Sequence, residues 1–245
     1  MSSIDAYFDN LKSLIIRAHE TQKDAMETAA RQIAKCLQRG SMVYSFGTGH
    51  GHLLALEIFY RAGGMARICP ILDEKLMLHI SAAGSTMQER NEEWVGILLD
   101  RYPIKAGDVL IATSNSGRNA VPVLFAHEAQ KRGAYVIALT NMNHTTAVTA
   151  RNKLGLRLFE TADLILDNGG ILGDASVSYA DGAMVGATST AVGAAILQAI
   201  VCRVKELSIE EGFEADFFKS SNVDGGDEWN DRLIERYKDA IPGLF

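Results

Sequence analysis

Only four prolines and three cysteines interrupt 245 residues, and aromatic residues make up 7%. So little proline, beside 47% hydrophobic residues, excludes an extended or low-complexity chain. Cys36, Cys69 and Cys202 form an odd set without a CxxC pair, which fits reduced thiols better than a disulfide framework. A chain of this length buries roughly 70–75% of its unfolded surface, so it folds without disulfides or a structural metal. Basic residues are in deficit too: 24 Lys and Arg stand against 30 Asp and Glu, for a net charge of −6. Nucleic-acid binding calls for a basic face, so no such partner is expected. A small anion held by a few backbone amides stays compatible with this charge. Nor is there a bilayer span. Gly182 to Cys202 lacks charge, but it is rich in Ala, Gly, Ser and Thr, contains Gln198, and reads as a buried helix. The opening SSIDAYFDN carries acids and no apolar centre, unlike a signal peptide. A cytoplasmic protein without membrane contact is expected.

What is present is an alternation of helical and strand patterns. Ile4, Phe8, Leu11, Ile15 and Ala18, continued by Met26, Ala30, Ile33 and Leu37, predict one or two amphipathic helices over 4–39, ended by Gly40. Short apolar runs predict strands at 42–46, 67–71, 108–113, 134–139 and 162–166. Helical patterns fall at 51–62, 86–99, 119–131, 145–151, 187–207 and 228–239, and an Asp181-Gly182 turn suggests a small hairpin. Continuous rather than alternating apolar runs mean strands covered on both faces, hence a parallel sheet in a three-layer α/β sandwich. The expected organisation is a helical N-terminal arm (1–40), an α/β domain (41–207) and a C-terminal extension (208–245) packed on the domain or on a neighbouring subunit. Ligands of such sheets lie at the carboxyl ends of the strands, which directs attention to residues 47–51, 114–119, 140–144 and 167–174.

Two of those loops carry chemistry. In Ser114-Asn115-Ser116-Gly117-Arg118-Asn119 two hydroxyls, a glycine and a helix N-terminus follow a buried strand, a combination suited to a phosphate. The same residues also suit a plain helix cap by Ser116 or Asn119. Phe46-Gly47-Thr48-Gly49-His50-Gly51-His52 lets backbone approach a ligand, but its GxGxG spacing lacks the third glycine of the dinucleotide fingerprint. Asp224, Asp227 and Glu228 do not have the spacing of a calcium loop, and Asp227 fits a helix N-cap. A loop of this kind also suits closure over sugar hydroxyls. No metal and no cofactor are expected.

These residues carry a resemblance. SNSGRN resembles the SxSGxS/T phosphate loop of sugar isomerase (SIS) domain proteins, and FGTGHGH matches the position of their glycine-rich first loop. FGTGHGHLLALEIFYRAGG, SNSGRNAVP and SSNVDGGDEWN look most like the phosphoheptose-isomerase-like, phosphosugar-binding branch, over most of the chain. The resemblance implies a five-stranded flavodoxin-like sheet and a phosphosugar ligand held by Ser114, Asn115, Ser116 and Asn119. Asn119 stands where many relatives have Ser or Thr. Gly47, Thr48 and Gly49 would border the sugar, as would Thr188, Ser189 and Thr190 at the start of the last long helix.

Aldose–ketose isomerisation needs a base beside a carbonyl and an acid or polarising group at its oxygen. Glu57 is the base the resemblance offers, although it stands one turn earlier than the family spacing. At the same time it is a plain i, i+4 partner for Arg61. The histidine that such isomerases carry on the last helix has no counterpart in 187–207. His50 and His52 are acid, ligand contact or turn residues. His79 is either supplied to a neighbouring site or a helix histidine near Ser85 and Thr86. His19, His127 and His144 have no evident partner and read as surface. The expected protein is a homodimer or homotetramer joined through apolar positions of the first and last long helices. It acts as a sugar-phosphate isomerase, with a binding-only sensor, or a lyase or deaminase on amino or ether sugars, as the rival readings.

Overall fold

In the computed structural model, which describes residues 2–245, five apolar runs pair into one parallel sheet. The strands are β1 (Val43–Gly47), β2 (Ile68–Ile71), β3 (Val109–Thr113), β4 (Tyr135–Thr140) and β5 (Leu164–Asp167), in the order β2-β1-β3-β4-β5. This is the flavodoxin-like order, with its switch point between β1 and β3. Val43 registers with Ile68 on one side and Val109 on the other. Pro70 sits in edge strand β2, where a missing N–H is tolerated on the open side.

Alternate residues feed two cores, one on each face. Val43, Ile68, Val109, Ile111, Ile137 and Leu139 pack beneath α1 (Ser3–Gln38), α2 (Gly51–Glu57) and α7 (Ser189–Glu210). Phe46, Cys69, Leu110, Ala112 and Val136 pack beneath α4 (Glu93–Arg101), α5 (Ala120–Lys131) and α8 (Gly226–Tyr237). The result is a three-layer sandwich in which each fully buried Ile, Leu or Phe contributes about 1.5–3 kcal/mol. The C-terminal residues Phe218, Leu233, Tyr237, Ile241 and Leu244 belong to that second core.

The N-terminal pattern is a single 36-residue helix, about 54 Å long, started by a capping box between Ser2 and Asp5. Its C-terminal half buries Ala29, Ala30, Ile33 and Ala34. Its N-terminal half runs past β5 to a hairpin of β6 (Ala175–Ser178) and β7 (Met184–Ala187), where the Tyr7 hydroxyl donates to the Ala187 carbonyl (2.9 Å). The Gly182–Cys202 stretch is thus part hairpin and part α7, and no described helix is long and apolar enough to cross a membrane.

Three helix predictions need correction. The pattern over 86–99 is two helices, α3 (Ala82–Gln88) and α4. Asn91 separates them by accepting the Glu93 N–H on its side chain (3.1 Å), an Asx turn that restarts the chain. Helix α2 stops at Glu57, because Tyr60 and Gly63 adopt positive φ and turn the backbone. The short α6 (Met142–Thr145) lies earlier than the predicted 145–151, started by an Asn141 cap.

Candidate functional site

The loops after β1, β3, β4 and β5 enclose a cavity of about 350 Å³ at the switch point. Its floor is the 114–119 loop. Gly117 has φ +57°, and a Cβ there would lie 2.8 Å from the Thr145 hydroxyl, so only glycine makes this turn freely. Gly117 N–H donates to Ser114 Oγ (3.2 Å), which leaves the Ser114 proton free to donate. Thr140 Oγ1 donates to the Ser114 carbonyl (2.7 Å), and Asn168 Nδ2 donates to Asn115 Oδ1 (2.9 Å), so β4 and β5 hold the loop. The helix-cap reading fails for Asn119: it occupies the N-cap of α5 but makes no capping bond, and its Oδ1 is buried without a partner.

Protein groups already occupy the α5 N-terminus. Val121 N–H donates to the Glu89 carbonyl (3.0 Å), Pro122 has no N–H, and Asn119 bridges to Arg151. Arg118 turns away, donating to the Thr149 carbonyl (2.8 Å). The Ser114 and Ser116 side chains line the cavity together with Asn119 and Thr190. Among the described residues no Lys or Arg lines the cavity.

Two carboxylates and two histidines do. Glu89, at the C-terminus of α3, accepts the Thr48 hydroxyl on Oε1 (2.8 Å) and keeps Oε2 free. Asp174, at φ +71°, is saturated by Thr188 N–H (3.1 Å), Ser189 N–H (2.9 Å) and the Ser189 hydroxyl (2.6 Å), so it caps α7. His50 stands exposed at the rim, at the N-cap of α2. His144 enters from α6. Burial, helped by Arg118 and opposed by Asp174, lowers its pKa below the usual imidazole value.

The profile of the SIS domain matches residues 6–141. The chain belongs to the SIS domain family. It is 40% identical over 243 residues to a UPF0309 protein of Geobacillus thermodenitrificans, covering 99% of this chain and 98% of that one. A UPF0309 protein of Halalkalibacterium halodurans is 40% identical over 237 residues, covering 96% and 98%. Among solved structures, a phosphoheptose isomerase from Francisella tularensis superposes with a TM-score of 0.55 at 15% identity, over 84% of this chain and 100% of that one. The Vibrio vulnificus NanR protein complexed with ManNAc-6P gives a TM-score of 0.51 at 17% identity, over 98% and 69%. At such identities the likeness is one of fold.

Within this SIS domain the expected residues divide. Thr48, Ser114, Asn115, Ser116, Asn119, Ser189, Thr190 and His50 line the cavity. Gly47, Gly49 and Thr188 do not. A Cβ on Gly47 would collide with the Gly51 backbone, Gly49 N–H donates to the Leu76 carbonyl (2.9 Å), and Thr188 is buried at the start of α7. His52 also turns inward, with Nδ1 2.6 Å from the Gly49 carbonyl, and His79 is exposed outside the cavity. Glu57 is out of the cavity as well: its carboxylate accepts from Arg61 (2.9 Å) and Gln198 (3.1 Å), the helix-pair arrangement. Asp227 lies inside the first turn of α8 behind an N-cap of Gly225, and neither it nor Asp224 nor Glu228 reaches the cavity. No group of three or more His, Cys, Asp or Glu placed to hold a metal ion occurs among the described residues.

Glu89, His144, Asn168 and Asp174 were not anticipated. Three of them lie in loops that the switch-point rule had marked. Glu89 was hidden inside a segment read as continuous helix.

Proposed function

We propose that this SIS protein is a sugar-phosphate isomerase that interconverts aldose and ketose phosphates, with Glu89 as its base. The phosphate is held by the hydroxyls of Ser114 and Ser116 with Asn119, and Thr190 closes the site from α7. The single observation that supports the base is Glu89 itself: among the described residues it is the one cavity carboxylate with an oxygen not taken by a protein donor. Oε2 removes the proton from C2 of the aldose, C1=C2 forms and the carbonyl electrons move to O1. The C2 hydroxyl proton passes to O1, the carbonyl re-forms at C2, and Glu89 returns its proton to C1. The phosphoheptose isomerase and sugar-phosphate-complexed neighbours agree with this ligand class.

Self-association belongs to the same reading, through Ile4, Phe8 and Ile16 of α1 beside Val185 of the hairpin, all exposed. The last long helix offers a second such face, because Ala191, Ala195, Ala199 and Cys202 stay exposed along the side away from the sheet.

Thermal unfolding against arabinose 5-phosphate, ribose 5-phosphate, fructose 6-phosphate and sedoheptulose 7-phosphate, each paired with its unphosphorylated sugar, tests binding. Proton NMR in D2O tests turnover, through exchange at the carbon beside the carbonyl. Stabilisation only by phosphorylated sugars, with exchange, is the expected result. Stabilisation without exchange or conversion for any of them leaves a binding-only sensor and ends the isomerase reading.

A further inference from the structure

We propose that His144 is a catalytic residue of this site, donating a hydrogen bond from Nε2–H of a neutral imidazole to the sugar's carbonyl oxygen; this rests on the isomerase reading. The argument begins with an orphaned atom. His144 Nδ1 is buried and has no hydrogen-bond partner. Nδ1 lacks a partner in either tautomer, and a buried N–H without an acceptor is the rarer of the two outcomes in folded proteins, an orphaned lone pair the more readily tolerated. The proton therefore resides on Nε2, the nitrogen that is not buried, on a residue that lines the cavity. An imidazolium would need protons on both nitrogens and meets the same obstacle at Nδ1. The charged groups around the ring act in both directions, Asp174 favouring the proton and Arg118 opposing it, and burial outweighs them. Glu89 and His50 line the same cavity.

The backbone that carries His144 is held firmly. Its N–H donates to Asn141 Oδ1 (3.0 Å) and Met142 N–H donates to Asp167 Oδ1 (3.0 Å). Asn141 Nδ2 and Asn143 Nδ2 reach the carbonyls of Ile171 (3.0 Å) and Gly170 (2.8 Å). Three of these bonds tie α6 to the end of β5 and the loop after it, and the fourth is its own N-cap, whereas His50 stands at the rim with no side-chain bond. Glu89 reaches the cavity beside the loop after β1, and His144 comes from the loop after β4, with the phosphate loop after β3 between them. A sugar whose phosphate sits on the β3 loop extends its carbonyl end into the cavity that Glu89 and His144 both line. A neutral donor suits this pairing: it stabilises the oxygen's developing charge without forming an ion pair that would quench the carboxylate base. His144 thereby fills the role left open by the absence of histidine from α7.

The test combines spectroscopy with two variants. Two-bond proton–nitrogen NMR on histidine-labelled protein, assigned with His144→Gln, should show Nε2–H neutral His144 at pH 7. Saturation with the sugar phosphate that most stabilises the protein, taken from the four named above, should shift Nε2. His144→Asn, whose amide stops short of the Nε2 position, should lower kcat about 100-fold or more with ligand stabilisation kept, and His144→Gln, whose amide N–H reaches that position, should retain more of it. An Nδ1–H tautomer, an imidazolium at pH 7, an unmoved Nε2 signal, or full kcat in His144→Asn overturns the proposal. Failure of the isomerase reading looks different, as wild-type protein that binds but does not turn over. The Nε2 response to the bound ligand then decides the donor role by itself. If none of the four sugar phosphates stabilises the protein, both readings fall together.

Discussion

Two glutamates compete for the role of base, and conservative substitution separates them. Glu89→Gln keeps the side-chain shape and an oxygen for the Thr48 hydroxyl, and removes the proton acceptor alone. A positioned acid–base group contributes about 10²–10⁴-fold to rate. At about 1.36 kcal/mol per decade that is about 3–5 kcal/mol of barrier, so kcat should fall by two to four decades. Binding should persist: ligand at 100 times Kd adds about 2.7 kcal/mol. At about 2–4 °C per kcal/mol for a chain of this size, the midpoint shift is about 5–11 °C in wild type and variant alike. Glu57→Gln is the control. Its Arg61 partner is 53% exposed, and such a pair is worth about 0–1 kcal/mol, so Tm falls by less than about 4 °C and kcat is unchanged. Full kcat in Glu89→Gln, or lost kcat in a folded Glu57→Gln, refutes the assignment.

Gly117→Ala should cost about 1–3 kcal/mol and weaken phosphosugar binding, since the turn is left-handed and Thr145 crowds the added methyl; unchanged Tm and Kd would contradict the loop geometry. An aromatic disulfide reagent should titrate one thiol rapidly in the native protein, the exposed Cys202, and three after denaturation. Cys36 and Cys69 are buried, and burial pushes both thiols up to about 12. Burial lowers the His144 pKa, so below the ordinary value of 6.5 the unfolded chain takes up the proton first. The stability contributed by the neutral ring is present above pH 6.5 and lost between there and the folded value. His144→Gln should therefore flatten that part of the pH–stability curve, and calorimetry on both proteins checks it.

The strands were legible because a run buried on both faces is apolar at every position, and the glycines and small polar residues at its ends mark where it leaves the sheet. The 114–119 loop at the cavity was legible for the same reason, being one strand's exit. The base was not. The apolar periodicity runs on from α3 into α4 across a turn at Asn91, and Glu89 at that break looks like any mid-helix glutamate. Glu57 sat in the expected helix, but helical spacing does not reveal that its carboxylate points to Arg61 and Gln198. Side-chain direction likewise hid Arg118, which leaves the loop it belongs to, and His144, whose neighbours come from a loop some 25 residues further on.

Among the described residues the cavity bears two carboxylates and no Lys or Arg, in a chain of net charge −6. A doubly charged phosphate ester approaching it meets a repulsive field, so encounter is unsteered and slower than neutral diffusion. Added salt, with a screening length of about 8 Å at 0.15 M, should then raise kcat/KM rather than lower it. Selectivity in such a site comes from the geometry of hydroxyls and amides, and an unphosphorylated polyanion gains nothing by its charge.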